Sequence, residues 1–265
     1  MTALTAYERI RFARDGRVVT ATIDAPGPVN AVDGKLHEEL ARLFDDLQRD
    51  PESDLCVLTG AGRAFCAGGD FDWFAEQIAD PAKFRDLAHD AKRIVSSLLD
   101  MEKPILCRLN GAAAGLGATI ALLCDIIIAD EAAVIGDPHV KVGLVAGDGG
   151  AVIWPELIGI ARAKEFLMTG DMIPAKQAAA MGLINHAVPG DQLDAKLAEM
   201  IAKLQANPRW AVRWTKTVAN LPLKKRAVEL MDAAIAYESL SNRTADRAEA
   251  VAAMREKRPP KLSGE

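Results

Sequence analysis

Two stretches of this 265-residue chain carry residue types suited to stabilising a negatively charged oxygen. In PILCRLNGAAAGLGATIALLCDIIIAD, residues 104–130, an apolar strand ends at the turn signal Asn110-Gly111. Gly115 and Gly117 then open a helix to about Cys124 that has no polar face. A helix that is apolar all round must be buried. Its start still carries unpaired N–H groups and the positive end of the helix dipole. An electronegative group is expected there, approached closely through small residues, as an anion site or an oxyanion hole. A second glycine-rich loop, GAGRAFCAGGD at 60–70, also follows an apolar strand. Both loops can present bare backbone N–H groups at the same edge of a sheet. Two such donors converging on one oxygen stabilise an enolate or a tetrahedral oxyanion.

The elements that must position these loops read as follows. Tyr7–Ala13 and Arg17–Asp24 alternate as strands around the hairpin signal Asp15-Gly16. A Pro/Gly-rich loop at 25–32 leads into an amphipathic helix at about 34–49, with Leu36, Leu40, Leu43 and Leu47 on one face. Asp54–Thr59 is a buried strand, and residues 71–100 are helical with a break near Asp80-Pro81. Beyond the strand Ile126–Ala129 come a short strand at Val134–Gly136 and the loop 137–150. Helices are expected at about 151–168 and at 174–181, the latter with Pro174 in its first position. Asn185–Val188 is a short strand, three or four helices fill 191–256, and RPPKLSGE reads as a loose end. Strands alternating with helices give an α/β fold with a largely parallel sheet. Residues 1–205 form the expected core, and 206–265 an all-helical region suited to a subunit interface.

Composition narrows the function. The net charge of −5 argues against a nucleic-acid partner, and no stripe of Lys and Arg with interleaved aromatics precedes the C-terminus. Cys56, Cys66, Cys107 and Cys124 lack metal-ligand spacing, so no metal is expected, and buried reduced thiols fit a cytoplasmic protein. The N-terminus has no signal-peptide core, and the apolar run 111–124 is too short to span a bilayer. A dinucleotide fingerprint fails at Ile120, where its third glycine would stand. No Gly-x-Ser-x-Gly elbow and no P-loop lysine is present.

Four segments in order, GAGRAFCAGGDF, NGAAAGLGATIALLCDIIIAD, VKVGLVAGDGGAVIWPELIG and AKEFLMTGDMIPAKQAAAMGLINHAVP, resemble successive signatures of the crotonase (enoyl-CoA hydratase/isomerase) superfamily. NPRWAVRWTKTVAN and the final EKRPP are similar too. The resemblance implies a crotonase-like spiral of ββα units with a C-terminal helical trimerisation region, and trimers usually paired into hexamers. It implies an acyl-CoA thioester as partner, with no permanently bound cofactor and coenzyme A entering as part of the substrate. The adenine is then expected beside loops matching Val29–Ala31 and Ala67–Gly69, with Val29, Ala31, Ala67, Gly68 and Gly69 as contacts. The two oxyanion N–H groups map onto Gly69 and Leu116.

The departures from the pattern concern proton transfer. The two glutamates that hold water and move a proton in hydratases fall on Thr119 and His139, so neither carboxylate is present. Thr119 cannot serve as a base near neutrality and is expected to back-bond within its helix. His139, with an ordinary imidazole pKa, could be the base. Asp148 lies where some isomerases of dienoyl thioesters carry an aspartate. His139 and Asp148 are therefore the expected proton shuttle, for isomerisation or an atypical hydration, in a pocket dried by the apolar loop 144–146. The alternatives are a hydrolase or decarboxylase of a β-keto acyl-CoA, or a silent coenzyme A binder. Cys66 reads as packing, Asp70 as a helix cap, and His37, His89 and His186 as ordinary surface or packing residues.

Overall fold

The computed structural model describes residues 3–265; the first two residues of the N-terminal stretch lie outside them. Its main sheet has six strands in the order Ile10–Asp15, Val18–Ile23, Leu55–Gly60, Ile105–Leu109, Ile126–Asp130 and His186–Val188. The first two pair antiparallel through the expected hairpin, and every other neighbour pairs parallel. A second sheet is built from Ala64–Cys66, Ala112–Ala114, Val134–Gly136 and Ile173–Pro174. The chain passes from a long strand to a short strand of the second sheet, then into helix, three times in succession. That is the expected spiral of ββα units.

The central strands are apolar because both faces are covered. In Leu55–Gly60, Cys56 and Leu58 enter the large cluster with Leu36, Leu40 and Phe44. Their alternates Leu55 and Val57 face the other way, with Leu106, Ile128 and Leu193. The helix Gly34–Arg49 buries Leu36, Leu40, Leu43 and Leu47 completely. Asp33 caps it by accepting from the Leu36 amide at 2.7 Å, a contact that stabilises by about 1 kcal/mol. Ala227, Met231 and Ile235, one stripe of the helix Leu221–Ser241, join the large cluster, so this C-terminal helix lies on the core. Among the described residues no helix is long and apolar enough to cross a membrane.

Four local expectations need correction. The helix at 151–168 is two helices, Gly150–Ile158 and Ile160–Thr169, divided at Gly159, whose φ of 79° a helix cannot continue. Pro174 ends the strand Ile173–Pro174 and precedes the helix Ala175–Ala180 rather than opening it. The strands Ala64–Cys66 and Ala112–Ala114, inside stretches expected to be loop, carry too few residues to show alternation. Finally, the tail is not loose: Asp246 accepts from the amides of Ser263 and Gly264 at 2.6 and 2.9 Å.

Candidate active site

The helix Leu116–Leu123 starts where the second sheet meets the main one. Gly115 precedes it at φ 54°, and a Cβ there would lie 3.1 Å from the His139 ring. A Cβ on Gly117 would lie 2.2 Å from the Cys66 carbonyl, so only glycine lets this helix sit against the glycine-rich loop 60–70. On the other side, the loop around Val29–Val32 is zipped to that same loop. Ala67 N–H donates to Val29 at 3.0 Å, Val32 N–H to Gly68 at 2.8 Å, and Asp70 N–H to Val32 at 2.9 Å. Val29, Ala31, Ala67, Gly68 and Gly69 are thus brought together in one corner. Asp70 caps the helix Phe71–Ala79, as expected.

A cleft opens at this corner, and Gly69, Leu116, His139 and Asp148 all line it. The amides of Gly69 and Leu116 have no hydrogen-bond partner among the described residues. The remaining wall is largely apolar, with Trp73, Phe74, Leu87 and Leu144. Leu144 is the residue of loop 144–146 that reaches the cleft.

His139 sits in the short 3-10 helix Pro138–Val142, between two aspartates. Its Nδ1 lies 2.5 Å from Asp137 Oδ1, and its Nε2 lies 3.4 Å from Asp148 Oδ2. Burial acts to lower the pKa of this imidazole, but the charges and hydrogen bonds of Asp137 and Asp148 outweigh it and hold the pKa well above the usual value. The two aspartates thus favour the imidazolium form of His139 over the free base. The converse holds at Asp148: burial acts to raise its pKa, and the His139 charge overcomes this to leave it below the usual carboxylate range. Thr119 Oγ1 approaches Asp148 Oδ1 at 3.4 Å. Thr119 thus supports Asp148 instead of back-bonding within its helix. The three groups Asp137, His139 and Asp148 offer ligand atoms within 4.8 Å of one another. The two carboxylates address opposite ring nitrogens, however, so the imidazole fills the space that a shared ion would need.

Three further polar side chains line the cleft. His37, on Gly34–Arg49, is 5 % exposed and Gln77, on Phe71–Ala79, is 2 % exposed. Burial holds the His37 pKa below its usual value, against the charges of Asp90 and Asp148. Glu238, on Leu221–Ser241, is pushed up to about 8 by burial and then by the charges of Asp148 and Asp137. His37 is therefore a buried part of the cleft wall. Glu238 carries a sequence signal of its own, since 227, 231, 235 and 238 follow one helical stripe whose first three members are apolar. Asp137 carries none, because its role depends on where the His139 ring turns. Cys66 is buried with its thiol pushed up to about 11 by desolvation, consistent with packing alone.

A family model described as enoyl-CoA hydratase/isomerase matches residues 13–265. The 1,2-epoxyphenylacetyl-CoA isomerase of Escherichia coli is 32 % identical over 251 residues, covering 93 % of this chain and 95 % of that protein. The crystal structure of an enoyl-CoA hydratase/isomerase from Mycobacterium paratuberculosis superposes with a TM-score of 0.88 at 38 % identity, covering 92 % of this chain and 97 % of that one. A β-diketone hydrolase from the cyanobacterium Anabaena, bound to (S)-3-oxocyclohexyl acetic acid, gives a TM-score of 0.84 at 30 % identity, covering 91 % and 96 %.

Proposed function

The chain belongs to the enoyl-CoA hydratase/isomerase family, and on that premise we propose that it shifts a double bond in an unsaturated acyl-CoA thioester. The observation carrying this reading is that two partnerless amides, of Gly69 and Leu116, share one cleft with the carboxylate of Asp148. The amides polarise the thioester carbonyl. Asp148 takes a proton from the carbon beside it, and the electron pair moves onto the oxygen to form an enolate held by the two N–H groups. Return of that proton to a carbon further along the chain restores the carbonyl with the double bond displaced. Moving one proton needs one carboxylate, whereas adding water by the two-glutamate route needs carboxylates where Thr119 and His139 stand. His139 acts through Asp148, keeping it charged until the substrate proton arrives. The coenzyme A portion runs to the corner of Val29, Ala31, Ala67 and Gly68. Exposed apolar residues of the C-terminal helices, including Trp214, Val218, Val228 and Tyr237, form the face of a homotrimer or a dimer of trimers.

A second reading has its own support in the hydrogen-bonding contact between His139 Nε2 and Asp148. A water held by this pair gives its proton to Asp148 and attacks a ketone β to a second carbonyl; the carbon–carbon bond breaks, its electron pair becomes the enolate at the amides, and the proton returns to the enolate carbon. The Anabaena relative is named as a hydrolase of β-diketones. Incubation with 3-enoyl-CoA, crotonyl-CoA and acetoacetyl-CoA, followed by absorbance and mass, separates the readings. Isomerisation keeps the mass, hydration adds one water, and cleavage yields two acyl products. Asp148→Asn is expected to lower turnover by about 10²–10⁴-fold, the range for a proton-transfer group. Unchanged turnover in that variant removes the assignment.

A further inference from the structure

Arg247, on the helix Ala245–Arg255, is completely enclosed and has no part in the proton chemistry above. It stands between two segments that shape the cleft. Its Nη1 donates to the Val142 carbonyl at 2.6 Å, at the end of the 3-10 helix that carries His139. Its Cζ lies 4.4 Å from the centre of the Phe74 ring. That ring abuts Gly69 so closely that a Cβ there would lie 2.2 Å from Phe74 Cζ. The Arg247 Nε reaches Asn242 Oδ1 at 3.4 Å, and Asn242 Nδ2 donates to the Gln77 carbonyl at 3.1 Å, on the same helix as Phe74. Gly143, next after Val142, lets the arginine come this near, since a Cβ there would lie 2.8 Å from Arg247 Cα.

Stability alone does not account for this side chain. Burial pushes its pKa down to about 10, against the charge of Glu238, and its Nη2 is enclosed with no hydrogen-bond partner among the described residues. An enclosed charge with an unpaired N–H costs free energy. Phe74 and Val142 already form a small apolar cluster with Val251, one turn on from Arg247, and a methionine at 247 would extend it without that cost. What methionine lacks is a flat cation that bonds a carbonyl while it lies over a ring. We propose that Arg247 is a positioning residue: its guanidinium holds the segment of His139 and the helix behind Gly69 at a set separation, and so keeps the proton relay at its working distance from an oxyanion amide. This rests on the reading of Gly69 as an oxyanion donor, and it holds for any reaction that passes through an enolate in the cleft. A displaced amide or relay is felt where charge develops, so the loss falls on kcat and not on KM.

The test is steady-state kinetics of the intact protein, well below the Tm of each variant, on whichever of 3-enoyl-CoA, crotonyl-CoA and acetoacetyl-CoA the parent turns over. Arg247→Met is expected to lower kcat by at least about tenfold with KM within about twofold. Arg247→Lys keeps a charged donor without the planar fork and recovers part of the loss. Val57→Ala is the comparison, because Val57 packs with Leu106 and Ile128 on the other face of the sheet; it lowers Tm and leaves kcat in place. A purely structural role makes Arg247→Met behave like Val57→Ala, and that result overturns the proposal. So does a loss confined to KM. Should the parent turn over none of the three thioesters, the function reading falls, and the amide NMR resonances of Gly69 and His139 decide the positioning role. Both move in Arg247→Met and stay in Val57→Ala if the guanidinium sets their separation; a resonance unmoved at either residue in Arg247→Met overturns it.

Discussion

Replacing Asp137 with Asn isolates the charge that holds His139. The carboxylate is completely buried and meets Nδ1 at 2.5 Å. Asn at this position keeps an acceptor near the ring and removes the charge. A hydrogen bond to a charged group contributes about 1.5–3 kcal/mol net. Breaking a buried pair outright costs about 3–5 kcal/mol. The substitution also relieves the desolvation of one carboxylate, so a loss of about 1–3 kcal/mol is expected. For a chain of this size that is a fall of roughly 3–10 °C in Tm. The dependence on pH distinguishes this mechanism from loose packing. A raised folded-state pKa at His139 contributes stability that is present in full below the ordinary imidazole value of 6.5 and is lost as pH rises through the raised value. Asp137→Asn shrinks that contribution, so the gap between variant and parent is full in mildly acidic solution and closes at alkaline pH. Urea unfolding across the pH range measures the gap, and NMR titration of the His139 ring follows its midpoint, which moves down. A gap that stays constant with pH, or a midpoint that does not fall, refutes the account of His139 as an imidazolium held by two aspartates.

Two smaller perturbations probe the supports. A Cβ at Gly117 stands 2.2 Å from the Cys66 carbonyl, and the tightest tolerable contact is near 3.0 Å, so the helix must retreat by 3.0 − 2.2 = 0.8 Å. Gly117→Ala should therefore separate the two amides and lower kcat/KM by up to about 10²-fold; steady-state rates within threefold of the parent would show that their spacing does not matter. Thr119→Val removes the hydroxyl near Asp148. It should lower stability by about 0.5–1.5 kcal/mol and raise the acidic pH at which activity is lost, because the carboxylate then has one stabilising contact fewer; a pH–rate profile that superposes on the parent's speaks against that contact.

The long apolar strands, the hairpin at Asp15-Gly16 and the helix Gly34–Arg49 were legible because each repeats a period often enough to be seen. The second sheet was not, since Ala112–Ala114 is three alanines and pairing, not pattern, makes it a strand. In the cleft, Gly69, Leu116, His139 and Asp148 came from matching the chain to the family it resembles, and the structure brings them together. The surroundings of the His139 ring were not legible, because they depend on Asp137, two residues away in sequence yet bonded through a side-chain rotation. His37 was read as a surface or packing residue, and Gln77 and Glu238 were not singled out, because each lies on a different helix and only the tertiary fold makes them neighbours.

The helix that carries Glu238 spans Leu221–Ser241, whereas the cleft residues outside it lie at or before Asp148. During synthesis, the amide corner and the imidazolium triad leave the ribosome well ahead of this last wall. Until it arrives, the cavity stands open to bulk water on one flank, where an enolate would be quenched. Catalytic competence therefore waits for this helix, and a protease that nicks the connection ahead of residue 221 should silence the enzyme while leaving its sheets intact.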